Sequence, residues 1–483
     1  MRNDHWGIWI FFLAAALMVR TGTAETLMVN DTGDAGDGTC TTVCTLRDAI
    51  ANVALGGTIR FDPLALPATI TLNSELLVNE HEVHIVGPGS ALLAVSAAGS
   101  GRVFHFSYTN HPGYPVSIED LTLRDGLAIG ADGADATTPG DDGTKGDPGF
   151  GGCILTNGSI LTLRRVRIQN CVAKGGDGGN GAVGYTGNPL QSGGTGGGGG
   201  IAGDAYGGAI AQLSGGELIL IDTSIVNALT IGGKGGDGGN GGSGYFRGKG
   251  GHGSSGGGAY GGAIYSSNEA VSVTNSTIAR STAQGGNGGN GGMGDPEATS
   301  NSGGFGGGGG SALGGLVNLS YFLEGHFVFA TLAEGEAIAG AGGSGGAGAT
   351  PGSSGSPGSA DSTAIYTYYS ATAHLHSTAI VGSSPLCSGV TADPGSNNLD
   401  QDGTCGANLH GSLVGQFRPL AENAALPFYM PVYSSDVIDT ASSCDDSNLL
   451  TVGQDMLSTP RPQGAGCDIG AIEADYIFVD DFD

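Results

Sequence analysis

The chain has 483 residues, of which 97 are glycine, with 17 Lys or Arg against 45 Asp or Glu and a formal charge of −28. Glycine is roughly three times its ordinary share, but 39% of residues are hydrophobic and only 13% charged, which excludes a continuous collagen helix and a wholly disordered chain. The acidic balance also argues against nucleic acid as a partner, because it repels a phosphate backbone at long range.

In chain order, the first feature is Arg2, an apolar run from Ile8 to Val19 and the small residues Thr21-Gly22-Thr23-Ala24. That layout predicts a secretory signal peptide over 1–24, because the apolar run is too short to span a bilayer. Cleavage removes Arg2, Arg20 and Asp4 and leaves 15 basic residues against 44 acidic. No later segment reads as transmembrane, so the expected location is extracellular or at the cell surface.

Residues 25–57 read as an N-terminal cap. Leu46, Ala49, Ile50 and Val53 fall at helical spacing, and a short amphipathic helix there would cover the open end of a stack of strands. From 58 to 129 come short runs that alternate with period two: Thr58-Ile59-Arg60-Phe61, Thr69-Ile70-Thr71-Leu72, Val83-His84-Ile85-Val86, Val103-Phe104-His105-Phe106 and Leu121-Thr122-Leu123. That period is the spacing of strands with one face buried.

A repeat governs residues 130–384. Gly151-Gly152-Cys153-Ile154, Gly207-Gly208-Ala209-Ile210, Gly261-Gly262-Ala263-Ile264, Gly314-Gly315-Leu316-Val317 and Ser362-Thr363-Ala364-Ile365 open five successive units. Each unit then carries an apolar pair five residues apart: Leu163 and Ile168, Leu220 and Ile225, Val273 and Ile278, Phe327 and Leu332, Leu375 and Ile380. Two short strands around a bend account for that step. The non-glycine part of a unit suffices for about three five-residue strands plus turns, one turn of a parallel β-helix, whereas a propeller blade needs about 40 residues. The predicted fold is therefore all-β, a single-stranded right-handed parallel β-helix with an N-terminal helical cap. Ile154, Ile210, Ile264, Val317 and Ile365 should form one interior ladder and the five-apart pairs two more, each buried aliphatic contributing about 1.5–3 kcal/mol.

Between units lie five glycine-rich inserts, at 130–150, 174–206, 232–260, 284–313 and 339–361. Glycine recurs in them every third residue, as at Gly175, Gly178, Gly181, Gly184 and Gly187. Period three is that of polyproline II, which has no internal hydrogen bonds. Two arrangements are open: flexible linkers, or out-and-back polyglycine-II runs of about 15 residues per arm that exchange backbone hydrogen bonds with their neighbours.

Candidate functional residues are few. Tyr185, Tyr206, Tyr245, Phe246 and Tyr260 sit at insert edges, where aromatic rings either stack on glycans or anchor the insert. Asn398, Asp400 and Asp402 follow the first half of a calcium-binding loop, but Leu409 stands where the bidentate ligand belongs, so turn-forming Asp is the alternative. Asp31, Asp34 and Asp37 form a similar acidic turn. No cofactor is required on this reading, and calcium is the one metal to test. Arg164, Arg165 and Arg167 read as a solvated strand face, and His374 with His376 as surface residues on one side of a strand. Gly253-Ser254-Ser255-Gly256-Gly257 matches a nucleophile pattern, but no strand and helix flank it.

The eight cysteines fall in near pairs: Cys40 and Cys44, Cys153 and Cys171, Cys387 and Cys405, Cys444 and Cys467. An even count in an exported chain predicts disulfides, with neighbour pairing the simplest of 105 connectivities.

Three stretches resemble motifs of secreted bacterial β-helix proteins. Asp37-Gly38-Thr39-Cys40 through Cys44-Thr45-Leu46-Arg47-Asp48-Ala49-Ile50 resembles the N-terminal CSLREA motif, and Gly-Gly-Ala-Ile at 207 and 261 resembles the GGAI repeats of polymorphic outer-membrane proteins. Residues 385–475, with Ser435-Asp436-Val437-Ile438-Asp439 and Arg461-Pro462 through Cys467-Asp468-Ile469-Gly470-Ala471-Ile472-Glu473, are similar to a choice-of-anchor Q domain. An acidic tail, 476–483, follows. The resemblance implies an exported β-helix of the pectin-lyase-like class.

For function, the outer faces of the coils offer mostly Ser, Thr and Asn, with no paired acids recurring beside the basic residues. The expectation is adhesion or surface presentation, with glycans or cell-surface receptors as partners. The alternatives are a polysaccharide lyase or glycoside hydrolase, and a purely structural envelope or matrix component.

Overall fold

The computed structural model describes residues 25–474 apart from 63–65, 109–111, 189, 247, 295–300, 322 and 447–449. The signal peptide and the acidic tail expected from the sequence lie outside the described residues. Every ladder between named strands is parallel, and equivalent strands of successive coils pair in five sheets. The first sheet has ten strands, from Thr26–Val29 and Gly57–Phe61 through Ser159–Arg164 to Val390–Ala392; the second also has ten, from Ala68–Thr71 through Arg167–Gln169 to Leu409–His410. The third has eight, from Leu76–Asn79 to Cys387–Ser388. Two five-stranded sheets carry the chain out of each coil into an insert (Leu127–Ile129 and its equivalents) and back again (Gly149–Phe150 and its equivalents). This is a right-handed parallel β-helix, the hand that parallel crossovers take.

The interior follows the predicted ladders. Ile154, Ile210, Ile264, Val317 and Ile365 are in register along the third sheet. Leu163, Leu220, Val273, Phe327 and Leu375 align in the first sheet; Ile168, Ile225, Ile278, Leu332 and Ile380 align in the second. All fifteen are fully buried. The bend between the first and second sheets is a left-handed residue in each coil, at Arg165, Asp222, Asn275, Phe329 and Ser377. At the N-terminal end the helix Leu46–Asn52 is fixed by a capping box between Thr45 and Asp48, which satisfies two of its free amide groups. Four disulfides join the neighbouring cysteines, Cys40–Cys44, Cys153–Cys171, Cys387–Cys405 and Cys444–Cys467, as a chain folding in an oxidising compartment forms.

The inserts are packed, not loose. Each runs out and back, and equivalent arms lie side by side in two layers. In the outward arm of the second insert, Gly178 N–H donates to the Lys234 carbonyl of the next outward arm (2.8 Å) and Gly179 N–H crosses to the Thr144 carbonyl of a return arm (2.9 Å). The third amide of the triplet, Asn180 N–H, goes to Asp135 Oδ1 (2.6 Å). This row continues across the layer: Asn180 Oδ1 accepts from Asp237 N–H, Asp237 Oδ1 from Asn290 N–H, and Asn290 Oδ1 from Ser344 N–H. Thus Gly-Gly-Asx satisfies all three amides, two through close backbone approach that only glycine permits and one through a side-chain oxygen facing outward. The longest arm is bonded from Gly175 to Gly187, about 40 Å at 3.1 Å per residue.

At the last insert proline blunts the return-arm edge of the layer, while the outward arm keeps glycine at the equivalent positions Gly342, Gly345 and Gly348. In the return arms, the residue after each accepting carbonyl donates to the following arm, as Gly303, Gly306 and Gly309 do to Thr350, Ser353 and Ser356. In the last arm the corresponding positions are Pro351, Ser354 and Pro357, and proline has no N–H to offer, a device that blunts open edges. Restoring glycine at both prolines is expected to produce concentration-dependent association in sedimentation velocity. A strictly monomeric double variant would contradict this account of the edge.

Candidate functional site

The five aromatic candidates separate into two groups. Tyr206 and Tyr260 lie at the base of the inserts, in register with Phe150. Their rings stack, with centroids 5.0 Å apart for Phe150–Tyr206 and for Tyr206–Tyr260. Tyr185, Tyr245 and Phe246 lie at the far ends of the arms and are exposed. Tyr245 and Phe246 meet edge to face at 4.8 Å, while the Tyr185 ring lies over Gly194, which has no Cβ to displace it. Tip and base are a full arm apart, so the five do not form one site.

Tyr206 and Tyr260 instead join residues of three third-sheet strands that carry little sequence signal. Pairing in the third sheet sets Tyr265 against Asn318 and Asn318 against Tyr366, and Ser320 against Tyr368. Together with Tyr321 these line a groove of about 310 Å³ at the seam between glycine layer and solenoid. Tyr265 is tilted against Tyr206 at 4.7 Å; Tyr321 stacks on Tyr369 at 5.2 Å. Tyr321 and Tyr368 are 39% and 45% exposed, which leaves aromatic surface open on one wall. Period-two spacing of Tyr366 and Tyr368 was a local hint; the convergence of four coils was not visible in one dimension.

Among the described residues, six tyrosines and no Lys or Arg line this groove. Burial, followed by the Asp204 carboxylate, pushes the Tyr206 hydroxyl well above the ordinary phenol value, and burial pushes Tyr260 up to about 12. Burial also raises Tyr265. These hydroxyls are therefore neutral at any ordinary pH and act as hydrogen-bonding groups. Tyr206 Oη already donates to Asp204 Oδ2 at 3.2 Å. The arrangement offers apolar ring surface beside hydroxyl and amide groups, and no cation.

The calcium candidates are occupied otherwise. Asp400 is fully buried and accepts from the amides of Gly403 and Cys405 and from His410 Nδ1. Asp402 accepts from the Thr404 and Leu386 amides, and Asn398 bonds Thr378 N–H and the Leu375 carbonyl. Their oxygens shape turns, and among the described residues no group of three or more potential ligands could hold a metal. His374 and His376 do share a face, with Nδ1 at 3.2 and 3.8 Å from Asp393.

The Arg164–Arg167 stretch differs from a solvated strand face. Arg165 forms a two-pronged bond to Asp120, 2.7 Å on each arm. Arg167 donates to the carbonyls of Ala424 and Glu422, because the chain after His410 folds back along the second sheet as a strap. The strap buries Phe417, Tyr429, Val437 and Ile469 against Val226, Ala279, Ala333 and Val381. Ser254, in the nucleophile-like pentapeptide, donates its hydroxyl to the Gly199 carbonyl.

Among the described residues no helix is long and apolar enough to cross a membrane. The chain matches no protein-family model, and no curated protein matches it in sequence. Among solved structures it is similar to pectate lyase Pel9A, at 10% identity over 94% of this chain and 97% of that one, with a TM-score of 0.30. The PL6 family alginate lyase AlyGC is 11% identical over 90% of this chain and 58% of its own, TM-score 0.21. A polyproline type II helical bundle, the springtail antifreeze protein of Granisotoma rainieri, is 23% identical over 48% of this chain and 94% of its own, TM-score 0.11. At such TM-scores these likenesses add nothing to the strand registers, which by themselves establish the parallel β-helix.

Proposed function

We propose that this is an exported surface or extracellular protein that binds glycans through the tyrosine groove, with the glycine layer as a rigid lateral platform for adhesion or presentation. The observation that carries the reading is the groove's lining, six tyrosines with Asn318 and Ser320 and no cationic side chain. Ring faces cover the apolar face of a sugar while hydroxyl and amide groups meet its hydroxyls, the combination for which tyrosine is suited. A neutral saccharide fits; a uronate would find no positive partner there, and β-elimination would find no Lys or Arg base. The signal-like N-terminus and the choice-of-anchor resemblance support export and surface retention.

A glycan array followed by titration calorimetry tests this. Neutral oligosaccharides should bind, and Tyr321→Ala combined with Tyr368→Ala should weaken binding about tenfold or more, the loss of roughly 1.4 kcal/mol, with unchanged thermal stability because both rings are exposed. Silence of the array, or full affinity in the double variant, would refute the groove as a glycan site. Absorbance growth at 232 nm on acidic polysaccharides would instead establish a lyase.

A further inference from the structure

Around Asn423, near its start, the strap does not seal against the second sheet, and a groove of about 430 Å³ remains. Arg124 and Arg167 project into its lining with Thr69, Thr122 and Gln169. Register sets Arg124 opposite Gln169 and Arg167 opposite Thr122, so the two guanidinium groups are diagonal neighbours on adjacent strands. Among the described residues no carboxylate lines the groove, although the chain carries a formal charge of −28. Such a reversal of local sign focuses anions.

The protein leaves these two cations under-neutralised. Among the described residues Arg167 meets carbonyl oxygens, those of Ala424 and Glu422, each at 3.0 Å, and no carboxylate; the Glu422 carboxylate turns away to Arg280. Arg124 reaches Thr69 Oγ1 at 3.3 Å and Asp125 at 3.5 Å, and Asp125 also accepts from Ser96 and Asn170. Nε of each arginine is buried and meets no protein acceptor. Burial first, and then the neighbouring Arg124 charge, lowers the Arg167 pKa; the second cause is repulsion between the two cations.

We propose that this groove is a second binding site, for a tetrahedral oxoanion ester carried on a saccharide, a sulfate or a phosphate. A tetrahedral group presents three terminal oxygens in different directions and so can meet two guanidinium forks on different strands. A planar carboxylate is matched by a single bidentate fork. Thr69, Gln169 and Asn423 supply neutral partners for the sugar hydroxyls.

The experiment is calorimetry on the full chain with a sulfated oligosaccharide, its phosphorylated counterpart, the unesterified parent and a uronic-acid oligosaccharide of equal length. The better-bound ester should bind at least tenfold more tightly than the parent or the uronate, and which ester that is identifies the anion. Arg124→Gln should lower its affinity tenfold or more without shifting the melting temperature, since that side chain does not hold the strap. Arg165→Gln and the Tyr321/Tyr368 double variant should bind it as the parent does, separating this site from the tyrosine groove. Failure of both esters to bind more tightly than the unesterified parent, or parental affinity in Arg124→Gln, would overturn the site. Equal or tighter binding of the uronate would overturn the choice of a tetrahedral anion.

Discussion

Replacing Gly236 by alanine is expected to break the glycine layer open from its centre. The Gly236 amide donates to the Gly200 carbonyl at 2.9 Å, and its own carbonyl accepts from the Ser254 amide at 3.0 Å. A Cβ built there would run into the Gly179 carbonyl oxygen and lie 2.7 Å from the Gly200 nitrogen. Those atoms are backbone, so no rotamer change relieves the clash and the arms must part. Overpacking of about 1–3 kcal/mol then adds to about 1–3 kcal/mol for each buried hydrogen bond left unmade. Asp237→Ala, one residue on, should cost only about 1 kcal/mol, because its side chain faces outward and only the Asn290 amide and Lys234 lose a partner.

The measurement is amide hydrogen exchange through the inserts. Gly200, Gly233, Gly236 and Gly239 should be protected in the parent chain and exchange much faster in Gly236→Ala, while the solenoid amides of Leu220 and Ile225 stay protected. Local opening of this kind is expected when a layer and a core are separately stabilised. Full-rate exchange in the parent, or equal effects of the two substitutions, would show that the period-three register does not hold the layer.

The second large effect is expected at Arg461. Its side chain is wholly buried, donating to Glu473 Oε2 at 2.8 Å and to the carbonyls of Asp468 and Gly470 at 2.9 and 2.8 Å, with its guanidinium carbon 4.3 Å from the centre of the Phe329 ring. Arg461→Met leaves the buried Glu473 carboxylate without its cation, a loss of about 3–5 kcal/mol. Met at both 461 and 473 removes both charges and should regain much of that loss. Denaturant unfolding with limited proteolysis of the strap reads both; a double variant no more stable than the single one would refute the pairing argument.

Asp468, beside this pair, acts with the opposite sign. Burial raises its pKa to about 6, above the unfolded value near 3.9, so ionisation favours the unfolded chain. Its penalty is complete above pH 6 and disappears as pH falls below 4. Mild acidification therefore relieves Asp468 rather than loosening the strap through it.

These two sites also mark the boundary of what could be read in one dimension. The buried ladders were legible because strand period and repeat spacing are local properties: Leu163 and Ile168 point inward in any coil that turns at Arg165. Neighbour pairing of the cysteines followed the same locality. The chemistry of Arg461-Pro462 through Glu473 was legible only as a resemblance, since nothing in its spacing shows that Arg461 and Glu473 pair across a buried turn. Arg167 looked like solvated charge because its partners, at 422 and 424, are over 250 residues away. Tyr265, Asn318 and Tyr366 share a groove only through stacking of coils separated by inserts of differing length.

The glycine content follows the same division. The alternation of coil with insert, the period of three within the inserts and the choice of core-facing aliphatic side chains are all legible in the order of residues. That the inserts are ordered emerges only once the coils are stacked. A polyproline-II arm has no hydrogen bonds of its own, so its stability lies entirely in neighbours, and those neighbours exist because successive coils hold equivalent arms side by side in register.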